Sequence, residues 1–282
     1  MKPPSFSYSR PETIEEALAA LAEGDPDAKL LAGGQSLVPI LNLRLARPTV
    51  LVDLNRVAGL DAIQLDGVLR VGAMVRQRAL ELSRLAREVC PLLPLALKHV
   101  GHIPIRNRGT IGGSLAHADP AAELPTVALA LDADLVVASP SGGRNVPASS
   151  FFQGPLTTAL QPDEILTEIR FPVLPDRRVA FREFARRRGD FALAAVAAVV
   201  RLEQGTATDV RLAACGVEST PVRLTIAEGA LRGRALSPSV IRDAANAAAH
   251  EVSPVADIHA DAEYRRELLG VLVGRALAEL AA

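Results

Sequence analysis

The stretch Leu30-Leu31-Ala32-Gly33-Gly34-Gln35-Ser36-Leu37-Val38-Pro39 is an apolar run that breaks at two adjacent glycines and resumes as an apolar, helix-like segment. A second stretch, Asn107-Arg108-Gly109-Thr110-Ile111-Gly112-Gly113-Ser114-Leu115-Ala116-His117-Ala118-Asp119-Pro120, repeats this order. Adjacent glycines can turn successive backbone N–H groups into one concavity, and a helix that begins just beyond adds its positive end. A single glycine pair more often marks only a tight turn. Two such loops, however, could hold the two phosphates of one diphosphate.

Neither stretch contains a familiar nucleotide-binding motif. The GxxxxGK pattern of P-loops and the GxGxxG pattern of the Rossmann type are both missing, which argues against an ATPase and against a NAD-dependent dehydrogenase of the usual construction. The GxSxG pattern of serine hydrolases is missing too, and Ser36 and Ser114 stand where phosphate contacts would be made. Asp119 and Glu123 lie near the start of a predicted helix, where they could either cap the helix or contact a cofactor.

Composition excludes several classes of function. The 282 residues carry 31 Lys and Arg against 32 Asp and Glu, so the chain lacks the basic surface that a nucleic-acid backbone requires. No apolar signal core opens the chain and no run approaches about 18 uninterrupted apolar residues, so we expect a soluble cytoplasmic protein. Cys90 and Cys215 are the only cysteines. We expect both to be buried thiols, which leaves no Cys-rich metal or iron-sulfur motif.

The first part of the chain predicts two lobes. In the first, about residues 1–56, a helix that starts at a Thr13-to-Glu16 capping box ends at Gly24 and precedes strands at 29–32 and 49–53, with a helix at 36–44 between them. The second, about residues 57–174, begins with a hairpin around Asp66-Gly67. Its further elements are helices at 76–87, 91–98 and 121–131, a hairpin with its turn at 141–144, and a strand at 164–171.

A second domain, residues 175–282, is predicted to follow the segment 172–177, which has the composition of a linker. Apolar runs at 195–202 and 209–214 predict paired strands, and helical periodicity predicts helices near 239–250 and 262–280.

The strings Ala32-Gly33-Gly34-Gln35-Ser36-Leu37-Val38-Pro39 and 105–120 resemble the two FAD-binding signatures of the medium, flavin-carrying subunit of molybdenum hydroxylases. That family includes the carbon monoxide dehydrogenase medium subunit and the xanthine dehydrogenase FAD-binding subunit. Further similar segments lie at 151–154, 162–166, 188–192 and 259–266, in the same order. The resemblance implies an α+β fold, in which a two-lobed FAD-binding domain of the vanillyl-alcohol-oxidase (PCMH) type at 1–174 precedes a C-terminal α+β domain at 175–282.

The resemblance also implies a set of cofactor-binding residues. Two segments would hold the FAD diphosphate through backbone N–H groups and hydroxyls, namely Ala32, Gly33, Gly34, Gln35 and Ser36, and Thr110, Ile111, Gly112, Gly113 and Ser114. Asp119 would reach the sugar or ribityl region, Leu166 the adenine side, and Asp190 and Phe191 the isoalloxazine ring, with Phe191 standing where some relatives have Tyr. The FAD is expected to be noncovalent, His117 being the alternative attachment site, and no metal or catalytic residue is expected on this chain.

By the same resemblance the chain is an FAD-dependent oxidoreductase subunit that works with partners. A large molybdopterin subunit would hydroxylate the substrate, and a small subunit with two two-iron, two-sulfur clusters would relay electrons to this FAD, in a dimer of heterotrimers. The substrate and the external acceptor, whether NAD, quinone or oxygen, stay open. Two alternatives remain: a stand-alone FAD oxidoreductase of the same fold, and a nucleotide-binding scaffold module without redox activity.

Overall fold

A computed structural model describes residues 2–22 and 27–282 of the chain. Helices and strands alternate irregularly, and the strands form three larger sheets and one two-stranded ribbon, so the fold is α+β as the sequence predicts. The predicted helix stop at Gly24 lies outside the described residues.

The first sheet is small and parallel. Its strands, β1 (Ser7–Ser9), β2 (Lys29–Leu31) and β3 (Val50–Asp53), lie in the order β1-β3-β2. The helices of this lobe are α1 (Ile14–Ala22), α2 (Leu37–Asn42) and a 3-10 helix (Leu54–Arg56). The predicted capping box is confirmed in part. Thr13 Oγ1 accepts the Glu16 N–H at 3.2 Å, whereas the Glu16 carboxylate accepts the N–H of Glu12 at 2.8 Å instead of that of Thr13.

The second sheet is antiparallel, with strand order β4-β5-β10-β6-β7. Its strands are β4 (Ile63–Asp66), β5 (Val68–Gly72), β6 (Asp134–Ser139), β7 (Gly142–Pro147) and β10 (Ile165–Pro172). Six helices connect β5 to β6: α3 (Gln77–Leu82), α4 (Arg84–Val89), α5 (Leu92–Leu97), α6 (Ile103–Arg108), α7 (Ile111–His117) and α8 (Glu123–Ala130). α9 (Ala148–Phe151), β8 (Phe152–Gly154) and β9 (Thr157–Thr158) come before β10.

Two boundaries in this lobe differ from the sequence prediction. The single helix expected at 76–87 is broken at Ser83, whose Oγ accepts the Ala86 N–H at 3.2 Å and so starts α4 as a separate helix. The hairpin turn expected at 141–144 lies at residues 140–141, because Gly142 and Gly143 belong to strand β7.

The third sheet follows the connection 173–176, with strand order β11-β12-β13-β14. Its elements are β11 (Arg177–Ala185), β12 (Ala192–Glu203), β13 (Thr206–Cys215), β14 (Val222–Arg223), α10 (Thr225–Leu231), α11 (Pro238–His250) and α12 (Ala262–Ala281). The two predicted strands and two predicted helices are confirmed, but β11 is missed because its polar and apolar residues alternate irregularly.

Strand β12 is buried on both faces, which explains its continuous run of Ala and Val. Ala195, Ala197 and Val199 pack into a cluster shared with the second lobe. Val196 and Val200 point the other way, into a cluster with α10, α11 and α12. Because successive side chains in a strand point to opposite faces, this one strand belongs to both cores and fixes the third sheet against the lobe that carries the second glycine segment.

Candidate functional site

The first glycine segment forms the connection between β2 and α2. Gly34 has a φ of 74°, a left-handed conformation that side chains disfavour, so the chain turns where the side chain is missing. The Gln35 side chain folds back, and its Nε2 donates to the Gly33 carbonyl oxygen over 3.2 Å. Within residues 27–282, the backbone N–H groups of Gln35 and Ser36 donate no hydrogen bond, which leaves both available to an anion.

The second glycine segment does not have the strand, turn and helix that we expected. Helix α6 precedes it and α7 begins at Ile111, so Gly112 and Gly113 lie inside a helix. Thr110 is the N-cap residue of α7, and its Oγ1 accepts the Gly113 N–H at 3.0 Å.

The backbone N–H groups of this second segment are already used by the protein. All four N–H groups from 111 to 114 donate within the chain at 2.8 to 3.2 Å, and their acceptors are the carbonyl oxygens of Val75, Ala73 and Thr110 and the hydroxyl of Thr110. These four N–H groups are therefore not free to face a ligand, contrary to our expectation. The hydroxyl that the segment offers is that of Ser114, which is partly exposed and can donate its own proton, whereas Thr110 is only 2% exposed.

The structure brings the two glycine segments into direct contact. A Cβ added to Gly33 would lie 2.3 Å from the Arg108 carbonyl oxygen and 2.8 Å from the Gly109 Cα. One added to Gly113 would lie 3.4 Å from the Ala32 Cβ. Gly33 is thus required for the close approach of the second segment, and its predicted role beside a diphosphate stays a prediction.

Gly112 is also a packing glycine. A Cβ there would lie 2.5 Å from the Ala73 Cβ and 2.7 Å from the Ala73 carbonyl oxygen, which is the acceptor of the Gly112 N–H. The glycine therefore lets the first turn of α7 rest on the chain that leaves β5.

Polar side chains behind the first segment hold it in place. Asp53, at the end of β3, accepts a hydrogen bond from the Tyr8 hydroxyl and another, at 2.9 Å, from the Asn55 N–H. The Asn55 Nδ2 in turn donates to the Ala32 carbonyl oxygen at 2.9 Å. Burial alone would raise the pKa of Asp53, but the hydrogen bonds from Tyr8 and Asn55 outweigh burial and hold the pKa below its ordinary value.

Arg76 joins this group to the second segment. Its Nη2 donates to Asn55 Oδ1 and its Nη1 to the Arg108 carbonyl oxygen, each at 2.5 Å. Burial, followed by repulsion from the Arg108 guanidinium, lowers the pKa of Arg76. Asn55, in the 3-10 helix after β3, and Arg76, just before α3, were not predicted from the sequence.

Asp119 and Leu166 are the two residues predicted to contact the sugar or ribityl part and the adenine side. Asp119 Oδ1 accepts the Ala121 N–H at 2.8 Å, in a turn that leads to α8, whose N-cap residue is Ala122. Neither Asp119 nor Glu123 therefore caps that helix. The side chain of Leu166 is only 4% exposed and packs in the core, so its backbone alone can contact a ligand.

The loop at 189–191 reaches back to the second lobe. Gly189 has a φ of 86°, and a Cβ there would lie 2.6 Å from the His102 Cε1, just before α6. Phe191, which follows, is 72% exposed, and Asp190 is also exposed. An aromatic ring this exposed on a strand end is available for contact with a planar ligand or with another protein.

Two carboxyl groups, of Glu123 on α8 and of Glu183 on β11, lie close together in the interior. Burial, together with the nearby Glu183 carboxylate, raises the pKa of Glu123 to about 8. His99 Nδ1 lies 3.8 Å from Glu183 Oε1, and Glu183 Oε2 is buried with no hydrogen-bond partner in the described part of the chain. Glu183 was not predicted from the sequence, because nothing in β11 distinguishes it from an exposed strand glutamate.

Comparison with known proteins gives a consistent picture. The sequence profile of the FAD binding domain in molybdopterin dehydrogenase matches residues 4–174, and that of the CO dehydrogenase flavoprotein C-terminal domain matches residues 179–280. The chain is 44% identical to the 6-hydroxypseudooxynicotine dehydrogenase complex subunit alpha of Paenarthrobacter nicotinovorans, over 99% of this chain and 95% of that protein.

Two solved structures are similar over almost their full length. One is a carbon monoxide dehydrogenase from Hydrogenophaga pseudoflava that lacks the Mo-pyranopterin moiety, with a TM-score of 0.97, 39% identity, and coverage of 99% of this chain and 98% of that one. The other is quinoline 2-oxidoreductase from Pseudomonas putida 86, with a TM-score of 0.96, 39% identity, and coverage of 100% and 98%. None of the described helices has the length and apolarity needed to cross a bilayer. The chain belongs to the family of FAD-carrying medium subunits of molybdenum hydroxylases, with a two-lobed FAD-binding domain followed by the C-terminal flavoprotein domain.

Proposed function

We propose that the junction of the two glycine segments holds the diphosphate of FAD. The observation that carries the proposal is the direct contact between the segments. In the first segment the N–H groups of Gln35 and Ser36 donate no hydrogen bond within residues 27–282, and in the second the Ser114 hydroxyl is partly exposed. Phosphate oxygens accept hydrogen bonds and do not donate them, so these donors fit this group.

We infer the remaining FAD contacts from the similarity of this chain to its family. We infer that Ala32, Gly33, Gly34 and the 111–113 backbone shape the cradle by close packing, while Asp119 faces the sugar or ribityl part and the Leu166 backbone the adenine side. The isoalloxazine ring then lies toward Asp190 and Phe191. FAD supplies the redox chemistry when it is bound. The work of this chain is to hold and orient the flavin and to control which molecules reach it.

We further propose that the chain acts between partner subunits. A small iron-sulfur subunit delivers electrons, a large molybdopterin subunit carries out the hydroxylation, and the flavin passes the electrons to an external acceptor. Support comes from composition, since two cysteines cannot ligate a two-iron, two-sulfur cluster. Relatives of similar length act on substrates as different as carbon monoxide and quinoline, which favours substrate choice on another chain.

Three finer statements belong to this proposal. The complex is a dimer of heterotrimers, it works in the cytoplasm, and the boundary between the two domains of this chain follows residue 174, in the connection between β10 and β11. Co-expression with candidate partner subunits, followed by mass measurement of the purified complex, tests the first. A mass that corresponds to the medium chain alone would favour the stand-alone oxidoreductase.

The visible absorption spectrum of the purified chain tests the flavin site. We expect the spectrum of an oxidised flavin, and we expect acid precipitation to release FAD into the supernatant, because the site is built from hydrogen bonds. A coloured pellet would point to covalent attachment at His117. A colourless chain that also fails to take up added FAD would favour the scaffold without redox activity.

A further inference from the structure

We propose that Arg76, which belongs to neither glycine segment, supplies the positive charge that balances the FAD diphosphate. The inference rests on the proposed function, in which the diphosphate lies at the junction of the two segments. It assigns the main electrostatic contact to a residue on the chain that leaves β5.

The position of Arg76 places its charge at that junction. Its Nη1 donates to the Arg108 carbonyl oxygen, the same oxygen that would lie 2.3 Å from a Cβ on Gly33. Its Nη2 donates to Asn55 Oδ1, and the same Asn55 side chain donates to the Ala32 carbonyl oxygen at 2.9 Å. The guanidinium is therefore fixed from both sides by groups that also hold the glycine segments.

Arg76 has no ion-pair partner at close range. Both hydrogen-bond acceptors are neutral, and no carboxylate oxygen of the described residues lies within 4.0 Å of its guanidinium. The more distant Asp53 and Asp61 carboxylates attract it, but burial and the Arg108 guanidinium outweigh them and lower its pKa. Other buried arginines are treated differently, since Arg106 pairs with Glu81 at 2.8 Å and Arg265 with Asp257 at 2.7 Å. A half-buried guanidinium without a counter-ion is unfavourable, and a ligand that brings an anion removes the penalty.

The second cation at the junction strengthens this conclusion. The Arg108 side chain is exposed and also has no carboxylate within 4.0 Å among residues 2–22 and 27–282. Repulsion between the two guanidinium groups contributes to the lowered pKa of Arg76. Only two of the five N–H groups of Arg76 are used in the structure, so the planar fork keeps donors for phosphate oxygens.

A pair of variants separates charge from hydrogen bonding. Arg76→Lys keeps the positive charge, whereas Arg76→Gln keeps N–H donors without a charge. Arg201→Gln is the matched control, because Arg201 lies on β12, is half-buried like Arg76, and pairs with Glu203 at 3.0 Å. For each protein, stripped of flavin, the Kd of FAD is measured by quenching of flavin fluorescence at about 0.1 M and about 1 M salt, and the melting temperature is recorded without FAD.

We expect Arg76→Gln to bind FAD roughly 10- to 100-fold more weakly than wild type, because a charge-assisted contact is lost. Arg76→Lys should be intermediate and should keep the salt dependence of the wild-type Kd, while Arg76→Gln should lose most of it. Arg201→Gln should bind like wild type.

Three results would overturn the inference. The first is an Arg76→Gln variant with wild-type affinity for FAD. The second is an Arg76→Lys variant that binds FAD no better than Arg76→Gln and with the same salt dependence, which would make Arg76 only a hydrogen-bonding link. The third applies if Arg76→Gln does not fold, and is an Arg76→Lys variant whose Kd no longer depends on salt. A wild-type chain that takes up no FAD at either salt concentration would instead overturn the proposed function itself.

Discussion

Replacement of Gly33 by alanine tests whether the contact between the two glycine segments builds the site. The added Cβ would lie 2.3 Å from the Arg108 carbonyl oxygen, and real Cβ contacts essentially never fall below 3.0 Å. The segments must therefore separate by about 0.7 Å along this line. Both sides of the contact are backbone, so no flexible side chain can absorb the movement.

The expected size of the effect follows from that distance. Overpacking of a tight contact costs about 1–3 kcal/mol, and the reduced entropy of the unfolded chain returns roughly 0.4–1 kcal/mol, which leaves a loss of about 1–2 kcal/mol. In a chain of this size such a loss lowers Tm by roughly 2–8 °C. A hydrogen bond stretched by 0.7 Å from about 2.9 Å is lost, so FAD affinity should fall roughly tenfold for each donor displaced.

The control is Gly229→Ala, since Gly229 lies inside α10 with no atom within 4 Å of an added Cβ. We expect this variant to keep its FAD affinity and to gain roughly 0.5–1 kcal/mol of stability, because alanine is the better helix former. The measurements are a thermal melt without FAD and a fluorescence titration with FAD. A Gly33→Ala chain with the Tm and the FAD affinity of wild type would refute the idea that close contact between the segments shapes the site.

Three further predictions concern Glu123, Thr110 and His117. Because burial raises the pKa of Glu123 to about 8, the folded chain is favoured while this carboxyl is protonated, and the free energy of unfolding falls as pH rises from the ordinary glutamate range to about 8. Glu123→Gln should remove this decline, which is at most about 1.4 kcal/mol per pH unit, in thermal melts at pH values across that range. A Gln variant with the pH profile of wild type would contradict the prediction. Thr110→Ala should lose the cap of α7, the helix that carries Ser114, which lowers stability by about 1 kcal/mol and weakens FAD binding in titration, unlike Thr110→Ser. His117→Ala should leave FAD content unchanged after acid release.

Much of the fold could be predicted from local patterns alone. The helices α11 and α12 and the strand β12 carry strong periodicity or a continuous apolar run, so neighbours in sequence determine them. β1 was missed because pairing with β3, about 40 residues later, makes it a strand, and β11 was missed because its polar and apolar residues alternate irregularly.

The site shows the limit of local reasoning more clearly. A glycine pair is usually a turn, and this rule holds at Gly34 but fails at Gly112 and Gly113, which lie in a helix. The reason is a contact with Ala73, about 40 residues earlier, that no local pattern reveals. Arg76 was overlooked for the same reason, since its partners come from two other parts of the chain.

These contacts have a thermodynamic consequence for the whole subunit. Gly33 lies in the first lobe and Arg108 in the second, so the surface that we propose for the diphosphate exists only while the lobes are docked. Arg76 bridges the same junction, because its guanidinium donates to Asn55 Oδ1 in the first lobe and to the Arg108 carbonyl oxygen in the second. A ligand that binds only the docked form must stabilise that form in proportion to the logarithm of its concentration over its Kd. In the proposed site, FAD binding and lobe docking are therefore one coupled equilibrium, in which Gly33 permits the contact between the lobes and Arg76 bridges them.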